Sequence, residues 1–254
     1  MEKSLGQRFD HGVWRLMFIT FEGGEGTGKS TQVSLLAEKL KAHGRDVVVT
    51  REPGGTPEGE KLRSLLVSGD TDTWIPDEET LLNFAARSAH LRKKIRPALA
   101  QGKIVICDRF IDSTAVYQVY AGNPSSLQFV QYLIEQIVRD TIPSITFVLD
   151  IDPAVGVMRS RNRMAGLKII SEEIAEDFRT TLSEESLNAM MEIAGSASED
   201  RFERKGIEFH KRVREGFQTI SRQDPERCRL IDASKPIEVV ADEIWALLAN
   251  LWLR

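Results

Sequence analysis

The chain contains a segment, FEGGEGTGKST from Phe21 to Thr31, whose residue types can bind a chain of phosphates. From Gly23 to Ser30 it fits Gly-(x)4-Gly-Lys-Ser at every fixed position. Backbone N–H groups can surround a phosphate only where side chains leave room, which accounts for the glycines. The motif predicts that Lys29 reaches the β- and γ-phosphates of a nucleotide and that Ser30 holds Mg²⁺. The predicted ATP-binding residues are Gly23, Gly24, Glu25, Gly26, Thr27, Gly28, Lys29, Ser30 and Thr31.

The phosphate loop lies between a strand-like run and a helix-like segment, which is the context that it requires. This context disfavours the alternative, a glycine-rich turn that arose by chance. Phosphate loops serve kinases, GTPases and motor ATPases, so the motif indicates a ligand without indicating a reaction. The sequence contains no Asn-Lys-x-Asp guanine motif, which disfavours a GTP-dependent switch protein.

Five short apolar runs predict β-strands that are buried on both faces. Longer amphipathic segments separate the runs, and this alternation predicts an α/β fold with a parallel sheet covered by helices. In such sheets ligands bind beyond the carboxyl ends of the strands, where most polar motifs of this chain fall. The predicted strands are residues 17–21, 46–50, 103–107, 145–149 and 228–231.

The composition is typical of a globular protein, with 41% hydrophobic and 28% charged residues. A formal net charge of -4 provides no basic field that would hold nucleic acid or an anionic membrane. Two distant cysteines, Cys107 and Cys228, indicate neither a disulfide framework nor a zinc site and favour a reducing, cytoplasmic location. No apolar run is long enough to span a bilayer, and residues 1–16 form a polar N-terminal extension without signal-peptide features.

A kinase that acts on a nucleotide must hold two groups of negative charge that repel each other. It therefore needs basic side chains in addition to the lysine of the phosphate loop. Arg51, Arg87 and Arg109 are candidates, and two of them follow predicted strands at the ligand-binding edge. The alternative for each is a surface arginine paired with a nearby acid.

The chain also contains the motifs TREPGGTPEGEKLRSLL, ICDRFIDSTAVYQ and LDIDPAVGVMRSRNR, the last followed later by DRFE. Together with FEGGEGTGKSTQ they resemble the thymidylate kinase family, which phosphorylates dTMP with ATP. The similarity covers Phe18 to about Arg163 and resumes at Asp200. It implies a P-loop nucleoside monophosphate kinase fold with a five-stranded parallel sheet. A single domain, 17–254, would carry a helical lid at about 157–205, including an acidic insertion at about 164–199.

The resemblance implies a role for each of several residues. Gly26 stands where some family members have an arginine, so this chain is similar to the bacterial type, whose catalytic arginines lie in the lid. The implied catalytic residues are Lys29, Arg159, Arg163, Arg201 and Asp108, and the implied metal residues are Ser30 and Asp108. The implied substrate-binding residues are Glu25, Arg51, Phe84, Arg87, Asp108, Arg109, Thr114, Tyr117 and Gln118.

One departure from the family pattern concerns the acceptor base. An aromatic residue usually precedes the equivalent of Arg87 by four positions and stacks on thymine, but Asn83 occupies that position here. Phe84 lies on the same helical face and is a candidate to replace it. Tyr117 is expected to crowd a ribose 2′-hydroxyl and so favour deoxyribose, with core packing as the alternative.

The expected reaction is direct in-line transfer of the γ-phosphoryl group of ATP to dTMP, giving dTDP and ADP for dTTP biosynthesis. Mg²⁺ is the expected cofactor, and the expected form is a cytoplasmic homodimer without nucleic-acid or membrane partners. Two alternatives stay open. One is a P-loop kinase for another nucleoside monophosphate, and the other is a non-catalytic P-loop nucleotide-binding protein.

Overall fold

The structure is a computed structural model that describes residues 17–122, 127–163, 201–202 and 204–252. The expected N-terminal extension, residues 1–16, and the expected insertion, residues 164–199, lie outside the described residues. The division of the chain into extension, kinase domain and lid therefore stays a prediction. The rest of the expected kinase domain can be compared with the structure element by element.

A parallel sheet of five strands forms the centre of the molecule. Each strand begins at the predicted residue or one later, and each ends one or two residues later than predicted, which confirms the predicted α/β sheet. The strands are β1 (Phe18–Gly23), β2 (Val47–Arg51), β3 (Ile104–Asp108), β4 (Ile145–Asp150) and β5 (Cys228–Asp232). Their order across the sheet is β2-β3-β1-β4-β5, and every neighbouring pair is parallel.

Helices cover both faces of this sheet, as the alternation of runs predicts. Several continue into π-helical turns, at Leu91–Ile95, Ala115–Tyr120 and Ile134–Val138. No helix within the described ranges is long and apolar enough to cross a membrane. In chain order the helices are α1 (Lys29–Ala42), α2 (Pro57–Val67), α3 (Pro76–His90), α4 (Arg96–Ala100), α5 (Ile111–Thr114), α6 (Leu127–Leu133), α7 (described over 153–163), α8 (Ile207–Gln223) and α9 (Ile237–Trp252).

The core divides between the two faces of β1. Ile19 points toward α1 and α9, where it joins a cluster with Leu36 and Ile244. Phe18 points to the opposite face and packs in a cluster with Phe84 of α3 and with Leu91 from the π-helical turn that follows. Because successive side chains of a strand alternate between faces, the mostly apolar sequence of β1 is explained by burial on both sides.

The sheet register brings the loops after β1 and β3 together. Phe21 of β1 pairs with Asp108 at the end of β3, so the phosphate loop starts beside the Asp108–Arg109 turn. The loop after β2 lies on the other side of β3, because Arg51 also pairs with Asp108. In an open parallel sheet this carboxyl edge is the ordinary place for a ligand.

Candidate active site

The predicted phosphate loop is the turn between β1 and α1. Gly28, immediately before the helix, has a φ of +89°, a left-handed conformation that glycine adopts without steric cost. Gly26 has a φ of +65°, and a Cβ at this position would lie 1.9 Å from the carbonyl oxygen of Gly156 on α7. The close contact leaves no room for a side chain at position 26. It gives a physical reason for glycine there, so an arginine that serves the reaction must come from elsewhere.

The side chain of Lys29 is buried inside this loop. Its Nζ donates hydrogen bonds to the carbonyl oxygens of Gly23 at 3.1 Å and Gly24 at 2.8 Å. Burial, followed by the positive charge of Arg109, lowers the pKa of Lys29 to about 8. A polyphosphate would offer anionic acceptors, which form stronger hydrogen bonds than these neutral carbonyl groups. Lys29 is therefore placed to exchange its present partners for phosphate oxygens.

The two expected metal residues contact each other. Ser30 Oγ, in the first turn of α1, donates to Asp108 Oδ2 at a distance of 2.9 Å. Hydroxyl, carboxylate and phosphate oxygens are the hard ligands that Mg²⁺ prefers, usually with one or two carboxylates from the protein. The donor set therefore fits Mg²⁺.

Arg109 connects the phosphate loop to the opposite wall of the site. Its Nη1 donates to the carbonyl oxygen of Gly23 at 2.9 Å, and its Nη2 donates to Glu25 Oε1 at 2.9 Å. The hydroxyl of Tyr117 donates to the same Glu25 oxygen at 2.8 Å. Burial alone would raise the pKa of Glu25, but the charges of Arg109 and Lys29 outweigh it and lower the pKa to about 2. These predicted residues thus form one connected, ionised cluster.

Arg87 provides a second buried cation, on α3. Its Nε donates to Glu52 Oε2 at 2.8 Å, and its Nη2 donates to the carbonyl oxygen of Phe110 at 3.0 Å and to Thr114 Oγ1 at 2.9 Å. The guanidinium carbon lies 4.6 Å from the centre of the Phe84 ring. The remaining nitrogen, Nη1, is buried and has no hydrogen-bond partner among the described residues. A buried donor of this kind is suited to a ligand oxygen, because leaving it unpaired is unfavourable.

Glu79, also on α3, joins Gln118 to Arg201. Gln118 Nε2 donates to Glu79 Oε2 at 2.8 Å, and Arg201 Nη2 lies 2.6 Å from Glu79 Oε1. The candidate replacement for the stacking aromatic, Phe84, is buried beneath Arg87, whereas Asn83 is only partly buried and donates to the carbonyl oxygen of Glu79 at 2.8 Å. Stacking of Phe84 on a base stays a prediction.

Arg201 lies away from the phosphate loop. Its side chain is fully buried, and besides Glu79 and the Phe202 ring its guanidinium contacts backbone carbonyl groups at the end of α2 and in the following loop. The donated hydrogen bonds go to Leu66, Asp70, Thr71 and Trp74, at 3.0, 2.9, 3.2 and 3.4 Å respectively. None of these hydrogen bonds goes to the phosphate loop, and the expected catalytic role of Arg201 stays a prediction.

The other expected arginines lie at the edges of the site. Arg159 and Arg163 are exposed on α7, the helix whose Gly156 contacts the phosphate loop. Arg159 Nη1 donates to the carbonyl oxygen of Ala233 at 3.5 Å, which turns it toward the loop after β5. Arg51 is half-exposed and its Nη2 lies 3.0 Å from Glu60 Oε2. All three are more exposed than Arg87 and Arg109.

Sequence reasoning missed three buried polar residues that hold the predicted ones in place. Glu22 is the second-last residue of β1, and burial, followed by the charge of Asp112, raises its pKa to about 7. Glu52 and His90 hydrogen-bond to each other at 2.9 Å. Glu22 had a visible signal, because an acid inside an apolar buried strand needs partners. Glu52 had none, since Arg87 and His90 are 35 and 38 residues away along the chain.

A phosphate loop on a five-stranded parallel sheet, with Arg109 from the turn after β3 beside it and a buried Arg87 on α3, defines the class of P-loop nucleoside monophosphate kinases. The sequence profile described as "Thymidylate kinase" matches residues 21–190. The chain belongs to the thymidylate kinase family.

Individual relatives agree with this assignment. The chain is 43% identical to the thymidylate kinase of Caulobacter vibrioides over 228 residues, which cover 89% of this chain and 93% of that protein. It is 41% identical to the thymidylate kinase of Magnetococcus marinus, over 90% of this chain and 93% of that protein. The crystal structure of thymidylate kinase from Ehrlichia chaffeensis superposes with a TM-score of 0.63 at 33% identity, over 92% of this chain and 98% of that one.

Proposed function

We infer that this chain is a transferase that moves the γ-phosphoryl group of ATP to dTMP, giving dTDP and ADP. The carrying observation is that Lys29 and Arg109 share one cluster: both donate to the carbonyl oxygen of Gly23, and both act on Glu25. Two cations on adjacent loops, Lys29 buried and Arg109 partly buried, can bring together two phosphate groups that would otherwise repel each other. The family to which the chain belongs supports the same reaction.

The proposed mechanism is in-line transfer without a covalent intermediate. Lys29 and the N–H groups of the phosphate loop bind the donor phosphates, and Arg109 binds the 5′-phosphate of the acceptor. Arg159 and Arg163 on α7 are proposed to approach the transferring group, since α7 touches the loop at Gly26. Catalysis then depends mainly on positioning and on positive charge around the transferring oxygens.

Ser30 and Asp108 are proposed to hold Mg²⁺, because their oxygens already lie 2.9 Å apart and match its ligand preference. When bound, Mg²⁺ neutralises negative charge on the donor phosphates. Asp108 is further proposed to orient the acceptor. The acceptor phosphate is already ionised at neutral pH, so the protein needs no strong general base.

The acceptor nucleoside is proposed to lie between Tyr117 and α3. The unpartnered Nη1 of Arg87 would donate to a carbonyl oxygen of the base, with Thr114 and Gln118 lining the same pocket. The Tyr117 ring, which contacts Arg109 at 5.0 Å, would exclude a ribose 2′-hydroxyl. Arg201 is proposed to be a structural residue of this wall, because a catalytic role would require all of its buried contacts to break.

A coupled ADP-release assay with Mg-ATP tests the proposed function. The acceptors are dTMP, dUMP, dCMP, AMP and no acceptor, and we expect ADP release that depends on dTMP. Lys29→Ala is expected to abolish it, whereas Lys41→Ala, an exposed lysine at the other end of α1, serves as the matched control and retains it. A preference for a different monophosphate would favour the other nucleotide kinase. ATP binding without transfer to any acceptor would favour the non-catalytic binding protein.

We further propose a cytoplasmic homodimer formed through sheet-covering helices, with no nucleic-acid or membrane partner. Large apolar side chains on three helices support the dimer, since Leu65, Leu81 and Tyr132 are each more than half exposed. Both cysteines are unpaired and buried, which fits a reducing compartment. Light scattering of the protein and of Leu81→Glu tests the dimer: we expect twice the chain mass for the first and a shift toward the monomer for the second.

A further inference from the structure

Glu22 is a fully buried carboxylate one residue before the phosphate loop, and the mechanism above gives it no role. Its Oε1 accepts the backbone N–H of Phe110 at 2.7 Å, and its Oε2 accepts the hydroxyl of Ser113 at 2.5 Å. Ser113 Oγ in turn accepts a hydrogen bond from Nη1 of Arg109 at 3.1 Å. One hydroxyl group therefore separates Glu22 from the guanidinium that is proposed to bind the acceptor phosphate.

The same carboxylate holds the backbone of the turn that carries Arg109. Arg109 has a φ of +67°, a left-handed conformation that non-glycine residues rarely adopt. Its N–H donates to the carbonyl oxygen of Phe21 at 2.8 Å, and the next N–H, that of Phe110, donates to Glu22. A strained conformation of this kind persists only where the surroundings hold it. Two successive N–H groups that donate to acceptors on β1 hold it here.

The environment of Glu22 is unfavourable for an ionised acid. Burial, followed by the negative charge of Asp112, raises its pKa to about 7, while Ser113, Arg109 and the Phe110 amide act in the opposite direction. An acid that is buried at this expense and directs both oxygens to the Arg109 turn is more typical of a functional site than of a packing position.

We propose that Glu22 is a positioning residue of the acceptor site, which acts through Ser113 and the Phe110 amide to fix the Arg109 guanidinium where the acceptor phosphate binds. The proposal rests on the proposed function, since it takes Arg109 as the acceptor-phosphate ligand. Glu22 then connects the phosphate loop, which follows β1 directly, with the turn after β3 that carries Arg109.

A carboxylate can hold this arrangement and an amide of the same shape cannot. Both oxygens of Glu22 accept hydrogen bonds, whereas glutamine presents one acceptor and one donor. If its oxygen faces Phe110, its NH₂ group competes with Arg109 for the oxygen of Ser113. If the amide is reversed, NH₂ meets the N–H of Phe110. The first arrangement weakens the contact between Arg109 and Ser113, and the second removes the hydrogen bond of Phe110 that holds the backbone turn of Arg109.

Steady-state kinetics and thermal unfolding of Glu22→Gln and Ser113→Ala test the proposal on the full-length protein. We expect each to raise the KM for dTMP by about tenfold, the range for loss of a hydrogen bond to a charged group. The KM for ATP is expected to stay within about twofold, because the Lys29 contacts are unchanged. The double variant should raise the KM for dTMP no further than Glu22→Gln alone, since both substitutions interrupt the same link.

Asp112→Asn is the matched control, because Asp112 is a buried acid on the same turn that pairs with Arg227 at 2.7 Å instead of with Arg109. It should lower the melting temperature and leave the KM for dTMP unchanged. Unchanged KM for dTMP in Glu22→Gln, or equal increases for dTMP and ATP, would overturn the proposal. If Glu22→Gln does not fold, an unchanged KM for dTMP in Ser113→Ala overturns it. Absence of dTMP phosphorylation by the unsubstituted protein would instead refute the proposed function.

Discussion

Replacing Glu52 by glutamine measures how far the acceptor pocket depends on one buried ion pair. Glu52 Oε2 accepts from Arg87 Nε at 2.8 Å, and Oε1 accepts from His90 Nδ1 at 2.9 Å. His90 Nε2 lies 2.6 Å from Thr50 Oγ1, which completes a chain of four buried side chains. This series of hydrogen bonds fixes the orientation of Arg87, and with it the direction of the unpartnered Nη1.

The expected loss of stability follows from burial. The side chains of Arg87 and Glu52 are 2% and 3% exposed, and removing one partner of a buried ion pair costs about 3–5 kcal/mol. Glutamine keeps one acceptor oxygen, so we expect the lower end, about 3 kcal/mol. A change of 1 kcal/mol shifts the melting temperature of a chain of this size by about 2–4 °C, so Glu52→Gln should melt about 6–12 °C lower.

Glu60→Gln is the control, since Glu60 pairs with Arg51 at 3.0 Å while the two side chains are 44% and 51% exposed. An exposed pair contributes about 0–1 kcal/mol, so this variant should melt within about 4 °C of the unsubstituted protein. Scanning calorimetry without nucleotide compares the two. Equal shifts, or a shift below about 3 °C for Glu52→Gln, would refute the argument that burial sets the value of the pair. The KM for dTMP should also rise in Glu52→Gln and not the KM for ATP.

Three further predictions concern the loop, the ionised cluster and the buried arginine. Gly26→Ala should lose most nucleotide binding, measured by calorimetry, because its Cβ would lie 1.9 Å from the carbonyl oxygen of Gly156; binding like that of the unsubstituted protein would contradict this. Glu25, whose pKa is lowered from 4.5 to about 2, contributes stability that is present above pH 4.5 and lost as pH falls toward 2. Between pH 7 and pH 3 this contribution to the free energy of unfolding, measured by urea titration, should fall by about 2 kcal/mol. Glu25→Gln should lack this part of the pH dependence. Arg201→Lys should lower the melting temperature by several degrees and keep kcat within about tenfold. A far larger loss of kcat in the folded variant would support the expected catalytic role of Arg201 instead.

A parallel α/β sheet of five strands could be predicted from the sequence, and that prediction is confirmed, whereas the order of the strands across the sheet came from the structure. The three inner strands, β1, β3 and β4, are buried along nearly their whole length, which explains why their runs are rich in apolar residues, whereas the edge strands β2 and β5 are partly exposed. The phosphate loop was also accessible, since its function requires glycines and a lysine at short, fixed spacing. Predictions that depend on the resemblance, among them the roles of Arg159 and Arg163, stay predictions.

The resemblance could not show what each arginine contacts. Arg87 and Arg201 look alike in the sequence. Among the described residues, however, Arg87 has one buried nitrogen without a hydrogen-bond partner, whereas Arg201 directs its guanidinium to Glu79 and to backbone carbonyl groups. The partners of both come from segments far away in the chain, so no local pattern indicates them. Side-chain burial and partner geometry distinguish a ligand-binding arginine from a structural one.

Local sequence was therefore enough for the fold class and for the nucleotide loop, because strand burial and phosphate binding each impose a short-range pattern. The assembly of the acceptor side required the folded chain. The pairing of Phe21 with Asp108 brings Arg109 beside Gly23, and the packing of α3 under the sheet brings Arg87 to Glu52. The positions of charged groups across strands depend on register and packing, which join residues that are distant in sequence.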